Sequence, residues 1–191
     1  DKYTNNTSNA VVVVYGIQGI SNANCAGQVK LINLTINPTP ALDPSLNPTP
    51  VCSGVASNVT LAVAAGSVAA ATYNINSITF VGLTAGPGNS GIGTGKSANA
   101  IFNDVYINTT NGPLTAVYSI TPVTASGCVG APQTVTFTVN PSPDLSTNAA
   151  NVCSGADTNV VFTTSGSSVP ATQYNIVSVT LQGGLTQSAG N

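Results

Sequence analysis

The sequence predicts an all-β fold made of antiparallel β-sandwich domains, and its composition provides two reasons. Val, Ile, Thr, Asn, Gly and Pro, which favour strands and turns, are abundant throughout the chain. Glu, Arg and Met, which favour helices, are missing, and only three Lys are present. The 191 residues are 42% hydrophobic, which is enough to build a core despite the many Pro and Gly.

The charged residues, only 4% of the chain, narrow the range of functions. The chain contains neither His nor Glu, so it offers no usual general base, and an enzyme is not expected. With three cationic residues and a net charge of −2, it has no electrostatic basis for binding nucleic acid or an anionic membrane. The longest apolar run, residues 10–15, is too short to enter a membrane as a span. Four Cys in such a chain favour an extracellular or cell-surface location.

Alternating apolar and polar residues predict the strands of one domain. In the stretch around Val135, Phe137 and Val139, the apolar side chains point inward and the intervening threonines outward. Gly-rich residues 82–95 are expected to form a loop, and Asn111-Gly112 a tight turn. Six or seven short strands at this spacing predict an immunoglobulin-like sandwich. The four clearest strands are 59–63, 74–81, 115–121 and 134–139.

The chain contains an internal repeat. Residues 15–40 match residues 118–143 at an offset of 103 without a gap, so that Cys25 falls on Cys128. Residues 51–80 match residues 152–181 at an offset of 101, so that Cys52 falls on Cys153. The two offsets relate different parts of a domain, so the repeat is not simply two whole domains in a row.

The repeat predicts one complete domain between two complementary half-domains. Residues 1–47 correspond to the C-terminal half of a sandwich, 48–147 to a complete sandwich, and 148–191 to the N-terminal half of the next. Joining Asn191 to Asp1 would place this junction where Asn103 and Asp104 stand in the complete copy. The chain is therefore expected to be one period of a two-domain repeat, opened inside a domain.

Four segments of the chain form a recognisable pattern: residues 108–122, the Gly-Cys-Val-Gly of 127–130, the strand and linker of 135–143, and the Val-Cys-Ser-Gly of 152–155. Together they resemble a known family, the PKD-like repeat of Bacteroidota surface proteins. The resemblance implies a large secreted or surface-anchored protein of tandem sandwich domains. It supplies no catalytic residues.

The cysteines are expected to form disulfides. Cys52 on the first strand and Cys128 in the last hairpin are predicted to lie at the same end of the sandwich, where a bond would add about 4 kcal/mol. By the repeat, Cys153 would then pair with Cys25 of the next copy. A Cys25–Cys52 bond is the weaker alternative, because it would have to span a strand about 35 Å long. Metal binding is not expected, since neither His nor a Cys-x-x-Cys motif is present.

These features predict a structural protein, a unit of an extracellular filament or stalk. Each copy would contact the next head-to-tail, and such contacts do not close on themselves. The filament could be one continuous polypeptide or a series of separate subunits that complement each other's strands. The alternative is an adhesin module that binds a glycan or a surface through the loop of residues 82–95. No cofactor is expected under either hypothesis.

Several single residues also have a predicted role. Tyr15 and Tyr118, at matching repeat positions, are interpreted as core or corner tyrosines. Asp43, Asp144 and Asp157 are interpreted as turn caps in preference to calcium ligands. Five asparagines start Asn-x-Ser/Thr triplets and are candidate glycosylation sites, although such triplets also arise by chance in this composition. These asparagines are Asn5, Asn6, Asn33, Asn58 and Asn108.

Overall fold

The computed structural model describes residues 1–46, 48–146 and 150–186, and every regular element within these ranges is a β-strand. No helix in this part of the chain is long and apolar enough to cross a membrane. The predicted junction at Asn191 and the predicted boundary at residues 147 and 148 lie outside the described residues. The strands are β1 (Val11–Ile17), β2 (Lys30–Ile36), β3 (Val51–Cys52), β4 (Thr72–Phe80), β5 (Leu83–Ala85), β6 (Gly93–Lys96), β7 (Tyr106–Asn108), β8 (Leu114–Val123) and β9 (Gln133–Asn140).

Strands β3 to β9 form the central sandwich. Its larger sheet has the order β3-β9-β8-β4-β6, and β5 pairs with β7 in the smaller one. All pairs are antiparallel except β3–β9, which is parallel. The predicted all-β, immunoglobulin-like sandwich of six or seven strands is confirmed. Three of the four predicted strands correspond to β4, β8 and β9, each within two residues of the predicted bounds.

The fourth predicted strand, residues 59–63, is not regular. Only Val63 forms a bridge, to Leu42, although Val59 and Leu61 are buried as the alternation predicted. The Leu61 amide donates a hydrogen bond to the carbonyl of Ala98, in a neighbouring loop, at 2.8 Å. Alternation reports which side chains are buried, and it does not report whether the backbone joins a ladder.

The predicted loop of residues 82–95 is partly strand. It contains β5 and the start of β6, with a turn at Gly82 where φ is +75°. A positive φ costs glycine little, so the chain can pass from β4 in the larger sheet to β5 in the smaller one within two residues. Glycine content alone therefore predicted too long a loop.

The core lies between the two sheets and is supplied largely by β4, β8 and β9. Its largest fully buried side chains include Tyr106, Tyr118 and Phe137. Leu42, which the sequence assigned to the first segment, is only 1% exposed and belongs to this same core. Pro40 is also buried. The central sandwich therefore includes residues upstream of the predicted start at residue 48.

The two flanking segments differ from the central sandwich. At the N-terminal side, β1 and β2 form an antiparallel hairpin in which Tyr15 lies opposite Ile32. In residues 150–186 no regular strand occurs; one bridge there joins Thr164 to Leu145. Neither segment contributes a residue to the hydrophobic core cluster of the central sandwich.

Candidate assembly site

The β1–β2 hairpin has the same pairing as β8–β9 in the central sandwich. Tyr15 lies opposite Ile32, and 103 residues later Tyr118 lies opposite Val135. The repeat seen in the sequence is thus reproduced in the strand register. The hairpin has the register of the last two strands of the central sandwich, and among the described residues no third strand pairs with it.

A buried cluster of one aspartate and two tyrosines occurs in the central sandwich and is repeated beside the hairpin. The Tyr118 hydroxyl donates to an Asp104 carboxylate oxygen at 2.5 Å and lies 2.8 Å from the Tyr106 hydroxyl. All three residues are at most 2% exposed. We call this the Asp104 cluster.

The copy of this cluster consists of Asp1, Tyr3 and Tyr15. The Tyr15 hydroxyl donates to Asp1 at 2.8 Å and lies 2.7 Å from the Tyr3 hydroxyl. Tyr3 and Asp1 are exposed and Tyr15 is half-buried, whereas all three members of the Asp104 cluster are buried. The same polar contacts therefore form on an open surface in one copy and in a core in the other.

A second network is repeated with the same partners. In the central sandwich, the Asn108 side-chain amide donates to the carbonyls of Gly112 and Val139, and its oxygen accepts from Thr110. Near the hairpin, the Asn5 amide donates to the carbonyls of Asn9 and Ile36, and its oxygen accepts from Thr7. Each asparagine fixes the turn before the hairpin to the end of the second hairpin strand.

The apolar face of the hairpin is exposed where its copy in the central sandwich is buried. Ile17 is 50% exposed, whereas Ile120 at the same repeat position is 0% exposed. Leu34 is 42% exposed, whereas Phe137 at its position is 1% exposed. We call the side chains that correspond to the β8–β9 core residues the hairpin face. They are Val13, Tyr15, Ile17, Ile32, Leu34 and Ile36.

The C-terminal segment has an open apolar cavity of about 700 Å³, which we call the C-terminal groove. Its lining includes Val160, Phe162, Tyr174 and Ile176, of which Ile176 is 68% exposed. At the matching positions of the central sandwich, Val59, Leu61, Tyr73 and Ile75 are at most 5% exposed. There, they belong to one core cluster with side chains of β8 and β9, among them Tyr118 and Phe137.

The hairpin face and the C-terminal groove are both uncharged and largely apolar. The groove has no Asp or Lys among its described lining. The repeat counterparts of the two surfaces include Val59, Leu61, Phe137 and Ile120, which share one core cluster in the central sandwich. Exposed apolar surface of this kind is typical of an interaction site.

Burial raises the pKa of Tyr118, with the hydrogen bond to Asp104 as the next cause. A group whose pKa is raised on folding stabilises the fold below its unfolded pKa, here 10.0, and loses this stabilisation as the pH rises above it. We expect the free energy of unfolding of the central sandwich to fall by about 1.4 kcal/mol per pH unit above pH 10 from this group. Urea unfolding followed by circular dichroism measures this decline, over a range of about pH 9 to pH 12 that brackets the ordinary tyrosine pKa.

The variant Tyr118→Phe is the control for this alkaline effect. It lowers the stability below the tyrosine pKa, since it removes the hydrogen bond to Asp104, and it makes the decline above that pKa shallower. An unchanged decline in the variant would contradict the assignment to Tyr118.

The structure does not support the predicted Cys52–Cys128 disulfide. All four thiols are described and all are free; Cys25, Cys52 and Cys153 are exposed and Cys128 is half-buried. Cys52 lies opposite Asn140, next to the start of β8, whereas Cys128 follows the end of β8. The ten residues of β8 separate the two cysteines by about 30 Å, and a disulfide needs Cα atoms within about 7 Å. The error was to place the strand that starts the sandwich at Cys52, when the chain has already crossed the domain by that point.

The predicted Cys25–Cys153 bond joins two copies, and a single chain does not test it. The repeat positions of these residues are those of Cys128 and Cys52. A completed second sandwich with the central topology would keep them at opposite ends as well.

The other predicted sites have mixed outcomes. Asp43 accepts hydrogen bonds from the amide and hydroxyl of Ser45, at 2.8 and 2.7 Å, which confirms it as a turn cap and lowers its pKa. Asp144 and Asp157 are exposed. In the described parts of the chain, no three metal-ligating side chains come together.

Glycosylation is excluded at Asn108 in the folded chain, because its amide is bonded to two carbonyls and the residue is 2% exposed. Asn5 uses its amide in the same way, which leaves the exposed Asn6, Asn33 and Asn58 as candidates. Residues 82–95, the candidate adhesive loop, contain no aromatic residue of the kind that stacks on sugars. Part of this segment is fixed to the domain, since the Ser90 amide donates to Asp104 at 2.7 Å.

The sequence predicts Tyr118 and Tyr15 as core or corner tyrosines but does not indicate the clusters to which they belong. Tyr118 is confirmed as a core residue, since it is 0% exposed, whereas Tyr15 is only half-buried in the single chain. Asp104 and Asp1, and Tyr106 and Tyr3, also match at the offset of 103, so a search for repeated polar residues would have found both clusters.

Comparison with known families agrees with this fold. Residues 49–143 match the family model of the PKD-like domain. This match supports a PKD-like fold for the central sandwich, a generally non-catalytic module that is typically extracellular. No curated protein and no solved structure shows a significant match.

Proposed function

We propose, on the premise that residues 49–143 form a PKD-like sandwich, that the chain is a structural unit of an extracellular bacterial filament. In this filament, the hairpin face of one copy fills the C-terminal groove of the preceding copy. Each such contact completes a second sandwich of the same design as the central one. Every domain along the filament would then have the design of the central sandwich.

One observation carries this proposal, the difference in exposure between equivalent residues. Ile17 and Ile176 are 50% and 68% exposed, while their counterparts Ile120 and Ile75 lie opposite each other in the β4–β8 ladder and are at most 1% exposed. Burying one such side chain contributes about 1.5–3 kcal/mol when it is fully covered. Several positions on each surface share this difference, so the free energy favours bringing the two together.

The repeat also specifies the register between copies. In the central sandwich, Thr79 of β4 lies opposite Val117 of β8. The corresponding residues are Thr180 in the C-terminal segment and Val14 in β1. The contact joins two different surfaces of identical chains, so each added copy presents a new open surface and the assembly grows without closing.

A cross-strand cysteine pair tests this register. In a chain with its native cysteines replaced by serine, we expect Val14→Cys with Thr180→Cys to give dimers and longer oligomers on non-reducing electrophoresis after mild oxidation. Cysteines at directly opposed strand positions are close enough to bond. The pair Thr79→Cys with Val117→Cys is the matched intramolecular control, and it should crosslink within one chain.

The pair Val12→Cys with Thr180→Cys keeps the same strand face but shifts the register by two residues. It should give much less crosslinking than the pair with Val14→Cys. Oligomers that crosslink mainly through the shifted pair would contradict the register. A chain that remains monomeric in reducing buffer at high concentration would contradict the filament itself.

Mass spectrometry of intact fibres separates the two ways of building them. Separate subunits would give a species of 18.9 kDa after reduction, and a continuous polypeptide would give a far larger one.

A further inference from the structure

The four cysteines occupy two positions of the repeat, and the structure places these positions at opposite ends of a sandwich. We call the end where the chain enters from β2 the near end, and the end where it leaves after β9 the far end. Cys52, and by the repeat Cys153, belongs to the far end. Cys128, and by the repeat Cys25, lies in the β8–β9 type of turn at the near end.

Cys52 is adjacent to the linker that leaves the sandwich. It lies opposite Asn140 in the β3–β9 pair, and the next amide, that of Ser53, donates to the Asn140 carbonyl at 2.8 Å. The Ser142 hydroxyl donates to the Ser53 carbonyl at 3.4 Å. The linker of residues 140–143 therefore starts beside Cys52.

Cys128 is adjacent to the linker that enters the sandwich. Its turn is closed by hydrogen bonds with Thr124, and two residues later the Gly130 amide donates to the Pro122 carbonyl at 2.9 Å. A Cβ atom added at Gly130 would clash with the carbonyl oxygen of Pro40. The linker of residues 37–40 therefore ends beside the turn of Cys128.

The two linkers are copies of each other. Residues 37–40 read Asn-Pro-Thr-Pro and residues 140–143 read Asn-Pro-Ser-Pro at the offset of 103. The structure shows a cysteine beside the start of one linker and beside the end of the other, and by the repeat each linker would have both. Three residues of linker span about 10 Å, so the cysteines of neighbouring domains would lie much closer together than the two cysteines of one domain.

We propose that the disulfides join neighbouring domains across these linkers, Cys52 with Cys25 of the next copy and Cys153 with Cys128 of the next copy. This inference rests on the proposed head-to-tail contact, in which the next copy's hairpin brings Cys25 to the end of the 140–143 linker. The same contact brings Cys153 beside Asn37 of the next copy, as Cys52 lies beside Asn140.

Each bond forms by oxidation of two thiols, which lose two protons and two electrons as the S–S bond forms. The electrons and protons pass to an external disulfide, such as oxidised glutathione, which becomes two thiols. Every junction between copies would then carry two covalent bonds. The disulfides would lock the angle between domains and leave each domain's own core uncrosslinked.

Single-cysteine chains test the pairing. Four variants each keep one native cysteine, with the other three replaced by serine, and pairs of variants are mixed, assembled and oxidised with glutathione. We expect disulfide-linked dimers from the Cys52 chain with the Cys25 chain, and from the Cys153 chain with the Cys128 chain. We expect no disulfide-linked dimers from the Cys52 chain mixed with the Cys128 chain, or from the Cys153 chain mixed with the Cys25 chain.

Sedimentation of the same mixtures in reducing buffer separates this inference from the proposed function. Reducible oligomers with crosslinks only in Cys52 with Cys128, or Cys153 with Cys25, would overturn the interdomain pairing and leave the filament standing. Oligomers that form without any disulfide crosslink would also overturn the interdomain pairing and leave the filament proposal standing. Chains that do not associate even before oxidation would overturn both, because Cys52 and Cys25 would then have no neighbouring copy to join.

Discussion

The variant Leu34→Asp is expected to abolish assembly while the central sandwich stays folded. Leu34 is 42% exposed in the single chain and holds the repeat position of Phe137, which is 1% exposed and packs against Tyr106 and Tyr118. In the completed second sandwich, an aspartate here would be a buried charge without a partner, which costs several kcal/mol. We expect the dissociation constant between copies to rise by about 100-fold or more, measured by sedimentation velocity.

The control for this charge is Asn33→Asp, one residue earlier on β2. Side chains alternate along a strand, so Asn33 lies on the outer face of the hairpin, where Thr136 stands exposed in the central sandwich. It adds the same charge to the same strand and should assemble nearly as the unchanged chain does. Equal losses in both variants would mean that added charge, and not the hairpin face, determines the result.

The repeat and the alternation of residues predicted most of the fold from the sequence. The sequence predicts β8 and β9 within two residues because buried apolar residues alternate with less buried ones in both, most regularly with the threonines of β9. Residues 59–63 have the same alternation but form no ladder, because their backbone groups bond to loops that the local sequence does not specify. Long-range pairing of this kind depends on topology and leaves no local pattern.

The cysteine pairing shows where local reasoning ended. The predicted Cys52–Cys128 bond requires that Cys52, on the first strand, lies at the same end of the sandwich as Cys128. The chain in fact enters the core at Leu42, about ten residues earlier, and has reached the far end by Cys52. The repeat relates the four cysteines as two equivalent pairs, but only the β3–β9 pairing shows at which end of the sandwich Cys52 lies.

The variant Phe137→Ala is expected to destabilise the central sandwich by about 3–5 kcal/mol, since it leaves a cavity among large buried side chains. Phe137 packs between Tyr106 and Tyr118, with ring centroids 5.4 and 6.0 Å away, and such a loss is a large part of the stability of a typical domain. Urea unfolding followed by circular dichroism, at concentrations too low for assembly, measures the loss.

Leu34→Ala is the matched variant, because it truncates the same repeat position in the hairpin. In the dilute chain, where Leu34 is half-exposed, it should change the unfolding midpoint little, whereas at assembling concentrations it should weaken association by about 2–3 kcal/mol, roughly 30- to 150-fold. A loss of stability in dilute Leu34→Ala as large as that in Phe137→Ala would show that the hairpin belongs to a fold complete within one chain. Two substitutions at one repeat position thus separate a domain that is finished from one that a neighbour completes.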